Sequence, residues 1–104
     1  MKFDSFPGEK DILSFKLVNG LGWLTTYRLI IEQEKLNSRF NIVEKQAPEI
    51  YLLSDFEKTI IKDKTLTLQF KGKHEAAIRL QIYSPAALNE IKDYIEEAAK
   101  YCRQ

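Results

Sequence analysis

Histidine and cysteine each occur once in this chain, as His74 and Cys102. A zinc site needs three or four ligands drawn mainly from these residue types, so the common zinc arrangements cannot be built. A hydrolytic triad would need His74 beside a nucleophile, and the sequence contains no G-x-S-x-G elbow. We therefore predict no metal, no cofactor and no catalytic residue, and we interpret His74 as a turn residue.

Two other patterns resemble catalytic or nucleotide sites. Asp55 and Glu57 could act as an acid and a base, but acids spaced like this near a strand end are typical of solvated turns. The segment Gly20-Leu21-Gly22 is similar to a phosphate loop, although a dinucleotide site needs a third glycine and a following helix. We expect these glycines to supply backbone freedom at a break between strands. The chain is not expected to be an enzyme.

Positive charge is concentrated between residues 58 and 79. Six cations and two acids give that stretch a charge of +4, whereas the whole chain carries +1. Because nucleic-acid binders usually show a marked basic excess, we expect no nucleic-acid partner. The lysines lie at the two ends of one predicted strand, about 20 Å apart, and so cannot form a single pocket.

Ser84 and Pro85 begin the clearest predicted element, an amphipathic helix. Ser84 suits the N-cap and Pro85 suits the first helical position. Steps of three and four separate the apolar residues that follow, which predicts one buried stripe. The residues of this stripe are Ala87, Leu88, Ile91, Tyr94, Ile95, Ala98 and Cys102.

Alternation of apolar and polar residues predicts strands in most of the remaining chain. Residues 65–71 and 76–83 form the best hairpin, with Gly72-Lys73 as its turn. Other strands are predicted at 11–19, 23–25, 28–32, 49–53 and 57–62. The polar stretch 33–48 is predicted to be a long loop with a short extended piece at 40–43. We expect one mainly β domain spanning residues 1–104, with a C-terminal helix.

With these elements placed, residues 22–31 resemble bacterial pleckstrin-homology-like (PH-like) and GRAM-type domains. The shared pattern is a glycine, a short strand, a Leu-Thr step and an Arg-Leu-Ile strand; residues 50–56 and Ser84-Pro85 resemble later parts of that family. The resemblance implies seven strands in two nearly orthogonal antiparallel sheets, capped by the helix. PH-like domains bind phosphoinositides, phosphopeptides, proline-rich peptides or ubiquitin, or act as scaffolds, so the fold implies no single ligand.

The same resemblance implies a candidate anion site. In the PH-like arrangement the first, third and sixth connections share one end, which would gather Lys35, Arg39, Lys71, Lys73 and His74. Such a cluster could attract a phosphate group or an anionic membrane. Phosphoinositide-reading members, however, draw cations from the first hairpin, and residues 19–22 have none.

Aromatic residues suggest a different contact surface. Trp23, Tyr27, Tyr51 and Tyr83 are candidate interface residues, because Trp and Tyr often anchor protein contacts; the alternative is that they belong to an ordinary core. Unpaired strand edges give a second route to a partner. We therefore expect a non-catalytic interaction or scaffold module that binds a protein partner or itself. The alternative is weak peripheral binding of an anionic phospholipid or phosphorylated ligand.

Cellular location is predicted from what the sequence lacks. A single cysteine forms no internal disulfide, which suits a reducing cytoplasm. No apolar run approaches the roughly 20 residues that span a bilayer, and Met1-Lys2-Phe3-Asp4 has no signal-peptide core. We expect a cytoplasmic protein, peripheral to a membrane under the alternative hypothesis.

Overall fold

The computed structural model describes residues 6–37, 42–45 and 47–102, with backbone alone for 35–37 and 42–45. A short 3₁₀ turn, Leu53–Asp55, links the fifth and sixth strands. The chain is mainly β with one C-terminal helix, as predicted. The elements are β1 (Asp11–Leu17), β2 (Gly20–Thr25), β3 (Arg28–Asn37), β4 (Ile42–Lys45), β5 (Glu49–Leu52), β6 (Phe56–Lys62), β7 (Thr65–Phe70), β8 (His74–Ile78) and α1 (Pro85–Cys102).

Strands β1 to β5 form the first sheet, which is antiparallel throughout. β1 pairs with β2 and β2 with β3, while β4 and β5 share the other edge of β3. β5 lies opposite residues 28–31 and β4 opposite residues 34–37. The sheet is therefore four strands wide. With the three-stranded second sheet this agrees with the predicted count of seven, although the described residues form eight strand segments.

The predicted long loop at 33–48 is wrong where the structure describes it, because β3 continues to Asn37 and returns as β4. The register places Glu34 opposite Lys45 and Lys35 opposite Glu44. Apolar alternation is the pattern that predicts a strand, and residues 33–37 lack it, so the sequence does not predict this ribbon.

Strands β6, β7 and β8 form the second sheet, an antiparallel meander. The strand predicted over 76–83 is wrong at its end, because β8 stops at Ile78 and the chain crosses to β1. The Val18 amide donates to the Arg79 carbonyl and the Gln81 amide donates to the Lys16 carbonyl. Leu80 thus remains buried against β1, whereas Ile82 lies beyond the crossing and is 83% exposed.

One hydrophobic cluster joins the two sheets and the helix. Its largest fully buried members include Leu24 and Leu29 from the first sheet, Leu66 and Leu68 from the second, and Ile95 from α1. Side chains alternate between the faces of a strand, which is why residues 29 and 31 of β3 enter this cluster. Ile30, which lies between them, is fully buried on the opposite face.

α1 begins where the sequence predicts. The Ala87 amide donates to Ser84 Oγ at 3.3 Å, and the Leu88 amide donates to the Ser84 carbonyl. Its buried residues are Leu88, Ile91, Ile95, Ala98 and Ala99. Tyr94, predicted in the stripe, is 45% exposed. Thr59 Oγ1 donates to Glu96 Oε1 at 2.8 Å, which ties the helix to β6.

Gly20 and Gly22 lie inside β2 and do not form the predicted break. The turn is at Val18-Asn19, and neither glycine has a positive φ. A Cβ on Gly22 would overlap the Phe15 ring, and one on Gly20 would overlap the Glu32 carbonyl oxygen. Close approach by neighbouring strands, and not backbone freedom, is therefore the reason for glycine at both positions.

Candidate interaction site

The edge of β5 that points away from β3 carries exposed apolar residues. No strand among the described residues pairs with it. Ile50 and Leu52 are 50% and 44% exposed. They lie two residues apart and so project from the same face of the sheet. Monomeric proteins usually protect such an edge with charge, and the only charged residue of β5 is Glu49.

Backbone hydrogen bonds show which groups of β5 point outward. The Leu53 amide donates to the Tyr27 carbonyl, and hydrogen-bonded pairs alternate along an antiparallel ladder. With the observed register, Tyr51 and Glu49 exchange hydrogen bonds with Leu29 and Ile31. The amide and carbonyl groups of Ile50 and Leu52 therefore face away from β3, toward the outer edge.

A row of apolar residues crosses the outer face of the first sheet and ends at this edge. Trp23 of β2 lies opposite Ile30 of β3, and Ile30 lies opposite Ile50 of β5. We call these three residues the outer row. Ile30 is fully buried, and Trp23 is partly buried. Trp23 also lines a groove of about 270 Å³ beside residues 11–14 of β1. Because Ile30 is fully covered, the exposed apolar surface of the outer row consists of Ile50 and part of Trp23.

A groove of about 240 Å³ separates β5 from the turn between β7 and β8. The Tyr51 ring stacks on Phe70 with 4.9 Å between centroids, and the Lys71 amide donates to the Asp55 carbonyl. Burial and the neighbouring Glu49 carboxylate raise the pKa of Tyr51 above its usual value. The groove is lined by Ile50, Tyr51, Leu52, Asp55, Phe70, Lys71 and His74.

Within the described residues, the structure places only some of the predicted anion-site residues near one another. Lys71 and Lys73 are exposed on the β7–β8 turn, where Lys73 has a φ of 63°. His74, predicted as a turn residue, is instead the exposed first residue of β8. Lys35 lies opposite Glu44 in the β3–β4 ribbon. Arg39 lies outside the described residues. Asp55 shares the groove with Lys71 and His74, so its carboxylate offsets part of the positive charge of Lys71.

The four aromatic candidates lie in different surroundings and do not form one surface. Trp23 belongs to the outer row, and Tyr51 packs against the core. The Tyr27 hydroxyl donates to the Pro7 carbonyl at 3.3 Å. Lys64 Nζ lies 5.4 Å from the Tyr83 ring centroid. Of the four, Tyr51 belongs to β5, and Trp23 lies in β2, two strands away.

Ile50 and Leu52, which carry this edge, were not among the predicted site residues. The sequence gives part of the pattern, because these two apolar residues flank Tyr51 in a predicted strand. Sequence periodicity predicts which residues share a face, but it does not predict which strand lies at an edge. That depends on the pairing of β3, which is set by contacts distant in sequence.

A second missed feature is a buried ion pair beside the β2–β3 turn. Arg28 Nε lies 2.9 Å from Glu9 Oε2, and the two side chains are 6% and 0% exposed. Thr25 Oγ1 also donates to Glu9 Oε2, at 2.6 Å. Burial opposes ionisation of Glu9, but the hydrogen bonds from Arg28, Thr25 and the Phe6 amide together hold its pKa below its usual value. The network fixes the turn at residues 6–9 on the sheet.

Within residues 6–37, 42–45 and 47–102, no group of three or more His, Cys, Asp or Glu residues could hold a metal ion. No helix in those ranges is long and apolar enough to cross a membrane. Cys102 Sγ donates to the Thr26 carbonyl at 3.0 Å, and burial raises the pKa of this thiol.

Comparisons of the chain with protein-family models, with curated proteins and with solved structures find no match. The resemblance of residues 22–31 to PH-like domains therefore remains a prediction.

Proposed function

We propose that the chain is a PH-like, non-catalytic interaction module that binds protein segments along the outer edge of β5. The PH-like part of this proposal is supported by the order of the elements, strands in sheets four and three wide followed by a closing helix. The proposal concerns binding and assigns no chemical reaction to the chain.

The observation that carries the proposal is the apolar, unpaired edge of β5. A partner strand added there would accept and donate the hydrogen bonds that Ile50 and Leu52 direct outward. Its side chains would meet Ile50 and Leu52 on one face of the sheet. The groove beside Lys71 and His74 would receive the side chains that project from the other face.

Anion binding, the alternative function, has less support. Of its five candidate residues, Lys71 and His74 line the groove together, and Asp55 lines it with them. The Tyr51 hydroxyl donates to Glu49 Oε2 at 2.6 Å, which places a second carboxylate near the groove. A phosphate group there would meet opposing charges, so we favour a protein segment as the ligand.

The test is selection of peptides from a random library on the immobilised chain. We expect the selected peptides to bind the original chain and to lose most of their affinity for Ile50→Lys/Leu52→Lys. The two lysines add positive charge and remove apolar contact at the edge. Val18→Lys/Ile82→Lys is the matched control, since it adds the same two charges at exposed residues that lie outside the described strands.

Two results would oppose the proposal. One is that selected peptides bind the double variant as well as they bind the original chain. The other is that Val18→Lys/Ile82→Lys weakens binding equally, since the loss would then come from net charge. Vesicles containing anionic lipid, tested at low and high salt, would support the alternative if they bound the original chain and not Lys71→Glu/His74→Glu.

A further inference from the structure

We infer that the segment which fits the β5 edge is β5 of a second copy of this chain. The two strands pair antiparallel about a two-fold axis that passes midway between the two Tyr51 residues. The inference rests on the proposed function, because it names the partner of the same edge. In this arrangement Ile50 of each copy lies opposite Leu52 of the other. The two first sheets would join into one continuous sheet.

Symmetry restricts the possible registers. Opposed residues in an antiparallel pair must project from the same face. One residue must therefore lie directly opposite its own copy, and we say that the axis lies at that residue. Within the short strand β5, the axis can therefore lie at Ile50, Tyr51 or Leu52. These three registers bring different residues together and can be compared.

The register centred on Tyr51 makes the most hydrogen bonds. Ile50 and Leu52 direct their backbone groups outward, as the register with β3 requires. Pairing Ile50 with Leu52 lets each residue both donate and accept across the new interface. An axis at Ile50 would place Leu52 opposite Pro48, which has no amide hydrogen. An axis at Leu52 would place Ile50 opposite Ser54, which belongs to the 3₁₀ turn.

Charge also favours β5 over β6 as the self-pairing edge. β6 exposes Ile60, but Lys58 and Lys62 flank it on the same face of the second sheet. Two copies paired there would bring four ammonium groups close together, which opposes pairing. In β5 the two Glu49 residues would be about 13 Å apart along the strands, beyond the Debye length of about 8 Å at physiological ionic strength.

The pairing is expected to be weak and reversible. Four residues from each copy bury less than the roughly 1,200 Å² typical of a stable interface. The dimer should therefore dissociate on dilution. Ile50→Lys changes both symmetry-related pairs with Leu52 and should weaken the dimer by about 2-fold to 30-fold, the range expected for losing two cross-strand pairs.

Cysteine cross-linking tests the register directly. In a Cys102→Ser background, Ile50→Cys and Leu52→Cys are purified separately, mixed and oxidised with copper phenanthroline. We expect disulfide-linked dimers mainly from the mixture, because Cα atoms of a hydrogen-bonded pair lie about 5.5 Å apart, within disulfide range. Each variant alone should cross-link more slowly. Ile60→Cys in the same background is the control for random collision.

Other cross-linking results would contradict either the Tyr51 register or self-pairing itself. Rapid cross-linking of Ile50→Cys alone, or of Leu52→Cys alone, would overturn the Tyr51 register. Cross-linking of the mixture no faster than that of Ile60→Cys, with a monomer by sedimentation velocity at every concentration, would overturn self-pairing. Peptide binding that still requires Ile50 and Leu52 would then leave the proposed function standing. If neither cross-linking of the mixture nor peptide binding at Ile50 and Leu52 is observed, both self-pairing and the proposed function are rejected.

Discussion

Glu9→Gln should be among the most destabilising single substitutions of a charged residue in the described part of the chain. The side chains of Glu9 and Arg28 are 0% and 6% exposed, so Arg28 would be left buried without its carboxylate. Glu9 also accepts hydrogen bonds from Thr25 Oγ1 and from the Phe6 amide. The amide of glutamine retains one acceptor but no charge, so the network cannot be rebuilt.

The expected loss of unfolding free energy is about 3–5 kcal/mol, the usual effect of removing one partner from a buried ion pair. Domains of this size have total stabilities of about 5–15 kcal/mol, so the loss would be a large fraction. The melting temperature should fall by about 12 °C or more, at roughly 4 °C or more per kcal/mol. Urea unfolding followed by far-UV circular dichroism measures the free energy.

Two further variants separate the ion pair from general effects of charge. Glu97→Gln removes the same charge from an exposed residue of α1 and should change stability by less than about 0.5 kcal/mol. Glu9→Leu/Arg28→Met removes both charges and should be more stable than Glu9→Gln, because no buried charge is left unpaired. A loss below about 1 kcal/mol for Glu9→Gln would refute the reasoning.

Three other predictions concern acid, packing and the thiol. Because the folded state lowers the pKa of Glu9, its stabilising contribution is complete above its unfolded pKa of about 4.3 and is lost as pH falls through the lower folded value. Urea midpoints of the original chain should thus fall more than those of Glu9→Gln between about pH 5 and pH 3, and parallel curves would contradict this. Gly22→Ala should lose about 1–3 kcal/mol by overlap with Phe15, and Phe15→Leu should recover part of that loss; equal urea midpoints for Gly22→Ala and the original chain would be the contrary result. Burial raises the pKa of Cys102, so Ellman's reagent should label the native thiol more slowly than the urea-unfolded thiol, whereas equal rates would show that the thiol is accessible.

Local pattern predicted the parts of the fold that depend on neighbours in sequence. The Ser84 cap and the steps of three and four placed α1 correctly, and strict alternation placed β7. Tyr94 was assigned to the buried stripe because an aromatic residue is apolar, but the core contacts only the narrower stripe centred on Ile91 and Ile95. Periodicity predicts a helix reliably and predicts the width of its buried face less well.

The parts that were missed depend on pairing between distant segments. The β3–β4 ribbon, in which Glu34 lies opposite Lys45, has no apolar alternation to indicate its strands. The ion pair joins Glu9 to Arg28 across nineteen positions of sequence. The exposed edge of β5 follows from the order of strands in the sheet. None of these features is visible in a window of neighbouring residues.

Amide hydrogen exchange in β5 tests most directly whether its outer edge is a contact surface. In dilute protein, the Tyr51 amide should be protected by its hydrogen bond to β3, while the Ile50 and Leu52 amides exchange quickly. In concentrated protein, the Ile50 and Leu52 amides should become protected as copies pair. Exchange of these two amides that stays equally fast, or equally slow, at every concentration would contradict self-pairing at this edge.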